Sequence, residues 1–297
     1  MALEGQAHLK AVRTPKRDYD TLTAAPLTPV IGAEIEGVDL SRPLSDAQLA
    51  DVRQAFADHQ VLIFRDQKID RESHKRFGRC FGELHVHPLN RQASEDDPEI
   101  LIVKTTRNSK FTAGDGWHTD VTCDARPPMG SMLYITRVPE LGCGGDTLFS
   151  SMYEAYDALS ETMKGFLEGL TAVHDGALPY VGSYKIAAAN DEGYPRNEHP
   201  VIGVHPETGR RVLYVNSGFT SHIKGLAPNE SRALLDMLFR HIESNPRFQC
   251  RIRWTPGTLV FWDNRCTQHH AAWDYFPHTR YGERVSIIGD PPAAVGQ

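Results

Sequence analysis

His118 and Asp120 stand two positions apart in GDGWHTDVTC (residues 114–123), and FWDNRCTQHH supplies His269 and His270 near the other end of the chain. Two neutral imidazoles and one carboxylate can share one face of a metal ion. On Fe(II) such a triad leaves octahedral positions open, and on Zn(II) it leaves the fourth tetrahedral position for water, so either metal would be set up for chemistry. The first pair carries no weight alone, because 14 histidines and 21 aspartates among 297 residues produce about one His-x-Asp by chance. A third ligand has to come from far along the chain, and 151 positions separate His118 from His269. Residue types leave the metal undecided and leave His270 as a rival to His269. Cys266 and His269 form a Cys-x2-His pair, a weak zinc signal, and Cys266 reads instead as a buried strand residue.

For these groups to meet, the elements that carry them must close on one another, and the apolar pattern describes elements that can. VIGAEIEGVDL, VLIFRDQ, ILIVKTT, GSMLYITRV, GDTLFSS, FQCRIRW, TLVFWDN and ERVSIIG read as strands bounded by Pro and Gly. VIGVHPETGRRVLYVN (201–216) is a hairpin that turns between His205 and Gly209. Ser45 caps a helix with Leu49, Val52 and Phe56 on one face, and Asp70 opens another toward Phe81. Helical stretches follow from Met152 to Leu170 and over 229–244, the latter stopped by Asn245-Pro246. Many short strands with few helices between them predict an antiparallel sandwich or barrel, and the missing strand–helix alternation argues against a parallel sheet.

On this reading His269 and His270 fall just past a strand end, Trp117 and Trp262 pack the core, and Glu83 and Asp96-Asp97 lie on the surface. Residues 1–25 form a loose polar arm with Lys10, Arg13, Lys16 and Arg17, and 26–297 form one domain. The Gly-rich segment TTRNSKFTAGDG (105–116) lacks strand alternation and leads into the candidate ligands, which suits a lid over the substrate.

The net charge of −6 argues against a nucleic-acid partner. No apolar run approaches the roughly 18–20 residues that span a bilayer, and the N-terminus has no signal-peptide pattern, so no membrane partner and a cytoplasmic location are expected. The five scattered cysteines fit reduced thiols in that compartment.

Arg280 follows His269 with ten residues between them in QHHAAWDYFPHTRYGER, and at this spacing the chain resembles the Fe(II)/2-oxoglutarate dioxygenases of the taurine dioxygenase and phenoxyacetate dioxygenase family. The likeness runs from about Pro26 to Pro292 through IGAEIEGVDLSRPLSD, RFGRCFGELHVHP, WHTDVTCDARPP, GGDTLF, HPVIGVHPETGRRVLYVNSGF and WDNRCTQH. It implies a mainly β chain with helices around a double-stranded β-helix (jelly-roll) core. It also implies that His118, Asp120 and His269 are the iron ligands and catalytic centre, with His269 chosen over His270 by the family register. Arg280 and Thr147 would hold the distal carboxylate of 2-oxoglutarate, with O2 as the third reactant. A planar guanidinium suits that task because it grips a carboxylate through two parallel N–H bonds. Relatives that halogenate replace the carboxylate ligand with a small residue, so Asp120 implies hydroxylation. Relatives form homodimers or tetramers, so a homo-oligomer is expected.

For the substrate, the resemblance assigns Arg284 to an anionic group, His87 to assisting it, and Tyr180 and Phe219 to aromatic walls. Residues four apart on a strand share a face, so Arg280 and Arg284 can enter one cavity. Asn90 stands where the taurine dioxygenases have a tyrosine, and Gly114 where they have an asparagine four residues before the first ligand; both changes remove bulk at the amine end of a taurine-sized substrate. The expected substrate is therefore a small organic anion, sulfonate first, with sulfate esters and phenoxy or carboxylic acids as alternatives. Two readings from other classes remain: a zinc metallohydrolase on the same ligands, which has no evident need of Arg280, and a binding protein that kept the fold without turnover.

Overall fold

Strands that are apolar on both faces need a layer on each side, and this chain supplies them. The computed structural model describes residues 17–91, 97–188 and 193–296. Its first six strands are Thr23–Pro26 (β1), Ala33–Glu36 (β2), Val61–Phe64 (β3), Leu84–His85 (β4), Leu101–Thr105 (β5) and Pro128–Arg137 (β6). Thr147–Ser151 (β7), Thr171–Asp175 (β8), Arg196–Pro200 (β9), Ile202–Val204 (β10), Arg211–Leu213 (β11) and Thr220–Ile223 (β12) follow. The last are Gln249–Ile252 (β13), Thr258–Asp263 (β14), Thr267–Ala271 (β15), Arg280–Ile288 (β16) and Ala293–Ala294 (β17).

The large sheet runs β1-β2-β3-β14-β6-β16-β4, with β5 also paired to β16, and the sheet β13-β7-β15 packs against it. Period-two alternation decides which side chain enters which layer. Val61 and Ile63 of β3, Val260 and Trp262 of β14, and Leu133 and Ile135 of β6 point inward to meet Phe149, Cys250 and Ile252 of the smaller sheet. Their neighbours Leu62, Phe64, Leu259, Phe261 and Met132 point outward to Phe56 and Phe77 on the helices Asp46–His59 and Arg71–Arg79. Phe56 stacks on Phe261 with centroids 3.8 Å apart. Each such burial contributes about 1.5–3 kcal/mol. The two helices begin where the sequence puts their caps: Ser45 and Gln48 form a capping box, and Asp70 accepts the Ser73 N–H at 2.7 Å. Two facing, mainly antiparallel sheets make this the double-stranded β-helix core.

The strand β16 matters most for the site. Val285 and Ile287 join the outer, helix-facing core, so alternation turns Arg280, Arg284 and Ser286 to the interior of the sandwich. The structure departs from the sequence reading in four places. β2 and β3 pair in parallel, joined by the helix Asp46–His59 as a crossover. His269 and His270 lie within β15 rather than beyond a strand, because pairing with β7 makes a strand of the polar TQHHA. Within 152–170 the helix is split into Met152–Asp157 and Glu161–Leu167, and β8 follows it. Of the arm 1–25, residues 1–16 lie outside the described residues, whereas Thr21 bonds Asp51 at 2.7 Å and Thr23–Pro26 pairs with β2. Asp96 is also outside the described residues, and Asp97 pairs with Lys75 at 3.2 Å.

Candidate metal centre and active site

The backbone joins the two distant histidines first. His118 forms an isolated antiparallel bridge with His269, its N–H donating to His269 C=O at 3.0 Å and its C=O accepting the His269 N–H at 2.8 Å. This side-by-side pairing brings the two imidazoles together, with centroids 4.1 Å apart and planes tilted by 49°. His269 is packed between Phe149, at 5.7 Å, and Trp262, at 4.9 Å. Its Nδ1 is buried without a hydrogen-bond partner among the described residues. The His118 ring is set by a bond from its Nδ1 to Gly116 C=O at 2.9 Å, which leaves Nε2 as the lone-pair atom. Gly218 permits this placement, because a Cβ there would lie 2.7 Å from His118 Cβ.

Asp120, in the turn just after His118, completes the cluster against β6 and β16 of the large sheet. Its Oδ1 lies 3.8 Å from His118 Nε2 and 3.9 Å from His269 Nε2. One donor atom from each of the three residues falls within 4.8 Å of the others. Oδ2 accepts a bond from Ser131 Oγ at 2.8 Å, and Ser131 is held in turn by Asn264 Nδ2 at 3.0 Å. Asn264 is fixed by Trp262 Nε1 at 3.0 Å. Ser131 and Asn264 are the supports the sequence reading missed; polar residues inside the apolar stretches GSMLYITRV and FWDN were the available signal. Burial alone would raise the Asp120 carboxyl, but the Arg284 guanidinium, then the two imidazoles and Ser131, hold it well below the usual carboxylate range. Burial depresses both histidines below their usual value. The cluster is therefore two neutral nitrogens and one anion, a donor set that suits a divalent transition metal.

A second cluster, His205, Asp263 and Cys266, has similar spacing but different wiring. His205 Nδ1 accepts the Glu207 and Thr208 N–H groups, and Asp263 is shared between His205 Nε2 at 3.0 Å and Arg265 at 2.7 Å. Its lone pairs are occupied, which makes it a buried strut. His270, half-buried, bonds Asp115 at 3.2 Å and is not in the triad.

A cavity of about 950 Å³ opens onto the three residues. Arg280 forms part of its wall and is 3% exposed. No carboxylate of the described residues pairs with it: Nη2 has only Thr147 Oγ1, at 3.5 Å, Nε has no acceptor, and the guanidinium lies 5.2 Å from the Trp254 ring centre. Burial lowers its pKa from the usual value, although a guanidinium stays protonated in a protein. Thr147 Oγ1 also accepts Trp254 Nε1–H at 2.9 Å, so its own hydroxyl proton is left to donate. A buried cation with unused donors needs an anion, and a carboxylate fits the fork.

The remaining expected residues divide. Arg284 reaches the cavity on the same face as Arg280, but its Nη1 is bonded to Asp120 Oδ1 at 2.6 Å, while its Nε has no acceptor among the described residues. His87, Tyr180 and Phe219 line the wall, with Tyr180 Oη 3.3 Å from His87 Nε2 and its ring 6.1 Å from Phe219. Asn90 is a correction: it does not line the cavity, because its amide donates to Pro98 C=O and Ile100 C=O, at 3.2 and 2.8 Å, where it anchors the approach to β5. Trp117 and Trp262 are buried as expected and also line the cavity. Gly114 has φ of +83°, a conformation that favours glycine.

A sequence profile of the taurine catabolism dioxygenase TauD, TfdA family matches residues 23–286. The chain is 32% identical to the alpha-ketoglutarate-dependent sulfonate dioxygenase of Saccharomyces cerevisiae, over 93% of this chain and 69% of that protein. It is 36% identical to the (S)-phenoxypropionate/alpha-ketoglutarate-dioxygenase of Sphingobium herbicidovorans, over 90% of this chain and 95% of that protein. The crystal structure of a taurine dioxygenase from Burkholderia xenovorans superposes with a TM-score of 0.80 at 35% identity, covering 93% of this chain and 94% of that one. This chain belongs to the TauD/TfdA family of dioxygenases.

Proposed function

We propose that the chain is a 2-oxoglutarate-dependent oxygenase that hydroxylates a small organic anion at one Fe(II) held by His118, Asp120 and His269. The observation that carries this reading is Arg280: a buried guanidinium without a carboxylate partner among the described residues, set in the wall of the cavity that opens onto two histidines and an aspartate. A zinc hydrolase built on the same three residues gives that cation nothing to bind. When bound, Fe(II) and 2-oxoglutarate together activate O2 for removal of a substrate hydrogen, and 2-oxoglutarate leaves as succinate and carbon dioxide.

The chain's own residues bind, orient and shield. Arg280 takes the distal carboxylate of 2-oxoglutarate and Thr147 adds its hydroxyl proton. Asp120 stays ionised beside Arg284, and Ser131 holds its second oxygen, so that the first faces the histidines. Arg284 has a further N–H to offer the substrate's anionic group, with His87 and Tyr180 beside it and Phe219 as an apolar wall. The segment 105–116 roofs the cavity and limits water. Sulfonates come first as substrates, with sulfate esters and phenoxy or carboxylic acids as alternatives, because the cavity is larger than taurine requires and its mouth carries the apolar side chains of Phe111 and Leu178. Among the described residues no helix is long and apolar enough to cross a membrane. We assign the protein to the cytoplasm and to a dimer or tetramer, the latter to be measured by light scattering.

The test is a panel of sulfonates, sulfate esters and phenoxy acids assayed for succinate production coupled to substrate loss. One member should be consumed in step with succinate, and Arg284→Ala should raise its KM or uncouple turnover while 2-oxoglutarate still binds. Metal-dependent hydrolysis without consumption of 2-oxoglutarate would overturn the reading.

A further inference from the structure

Two segments roof the cavity: residues 111–116, which lead into His118, and a single π-helical turn, Leu178–Ser183, with Tyr184 at its end. One side chain joins them. The Tyr184 hydroxyl accepts the Gly114 N–H at 2.9 Å, and its ring stacks on Phe111 with centroids 5.0 Å apart and planes 17° from parallel. From Gly114 the backbone bonds lead straight to both histidines. The Gly114 C=O accepts the N–H of Gly116 at 3.0 Å and that of Ala271, two residues after His269, at 2.9 Å. Gly116 C=O then receives His118 Nδ1 at 2.9 Å. Gly114 lies against the imidazole itself, since a Cβ there would come 3.1 Å from His118 Cε1.

The other end of this linkage faces the cavity. Tyr180, on the same π-turn, packs edge-on against His87 at 5.8 Å, and the turn is internally tied by Tyr184 N–H to Pro179 C=O at 2.9 Å and Ile186 N–H to Tyr180 C=O at 2.8 Å. A π-turn in this position is a common mark of a functional segment. Tyr180 and the anchor of Gly114 thus sit on one internally tied turn.

We propose that Tyr184 is a positioning residue: it ties the cavity-facing turn to segment 111–116 and, through Gly114 and Gly116, fixes the His118 ring for metal binding. The inference rests on the reading of His118 as a metal ligand. Removing the acceptor while keeping the ring leaves the Gly114 N–H without its partner, and the loop and the imidazole should loosen together.

Tyr184→Phe tests this, with Phe111→Leu as a second variant that removes only the stack. The first readout is limited trypsin digestion of the metal-free chain at the exposed Arg107 and Lys110, which does not depend on the functional reading. The second is Mn(II) affinity by EPR titration, which a loose surface loop alone would not move. Tyr184→Phe should be cut about fivefold faster and bind Mn(II) about fivefold more weakly, the factor for one net hydrogen bond. Phe111→Leu should shift both readouts in the same direction. Faster cutting with unchanged Mn(II) affinity would overturn the link to His118, and no change in either readout would overturn the proposal entirely. Failure of the wild-type chain to bind Mn(II) at all would instead sink the assignment of the site, with the digestion arm still reporting on the joint between the segments.

Discussion

Replacing Arg280 with Met should leave the ligand-free protein as stable as before or more so, while abolishing the stabilisation given by 2-oxoglutarate. The guanidinium is 3% exposed and has no carboxylate partner among the described residues, so in the ligand-free state it is a buried charge whose desolvation is not offset. Exchanging buried charges for apolar groups of similar volume is commonly neutral or stabilising by about 1–4 kcal/mol. With ligand the sign reverses. Two charge-assisted hydrogen bonds to a carboxylate contribute about 1.5–3 kcal/mol each, so their loss weakens binding by at least about a hundredfold. At a ligand concentration of 100 times the wild-type Kd, the wild-type protein gains about 2.7 kcal/mol, which corresponds to roughly 4 °C in Tm for a chain of this size. At the same concentration the variant should gain less than about 1 °C. Differential scanning calorimetry with Mn(II), with and without 2-oxoglutarate, measures both effects without turnover. A variant that keeps the wild-type ligand shift, or one that loses several kcal/mol of stability without ligand, would refute the argument that Arg280 is held unpaired for a co-substrate.

Three further predictions follow from specific contacts. Ser131→Ala removes the hydroxyl that holds Asp120 Oδ2 at 2.8 Å, and Mn(II) affinity measured by calorimetric titration should fall about 10–100-fold; an unchanged value would make Ser131 irrelevant to the carboxylate's orientation. Gly218→Ala forces a Cβ to within 2.7 Å of His118 Cβ, so the same titration should show weaker binding, with far-UV circular dichroism unchanged. Burial raises the Glu154 carboxyl from its ordinary 4.5 to about 7, against the opposing pull of Arg210 at 3.6 Å. Between those values the folded chain holds a proton that the unfolded chain has released, so stability falls as pH rises through that window. Glu154→Gln should remove this fall, matching the wild type near pH ~4 and exceeding it near pH ~8 by on the order of 2 kcal/mol in urea denaturation.

What the sequence disclosed and what it hid follow from the range of the interactions. Alternation in ERVSIIG puts Val285 and Ile287 on one face, and the same period carries back to Arg284 and Arg280, so their shared inward direction is legible without a structure. Caps are local, and Ser45 and Asp70 stand where they were read. β15 was hidden because TQHHA has almost no apolar content of its own and becomes a strand through its pairing with β7 and its bridge to His118. Asn90 was placed in the cavity by the family register, at a position where the taurine dioxygenases have a tyrosine, whereas its amide is consumed by two backbone carbonyls eight and ten residues on. The bond between Arg284 and Asp120 spans 164 positions, and no spacing rule announces it. Tyr184 shows the same limit, since its meaning depends on a glycine 70 residues earlier.

The central claim is that His118, Asp120 and His269 share one ion beside a co-substrate held by Arg280. Anaerobic titration of the protein with Fe(II) and 2-oxoglutarate, followed by visible absorption, tests it most directly. A metal-to-ligand charge-transfer band should appear in the wild-type protein, vanish in Asp120→Ala and His269→Ala, and demand far more 2-oxoglutarate in Arg280→Met. No band in the wild type, or a band of full strength in Asp120→Ala, would contradict the account.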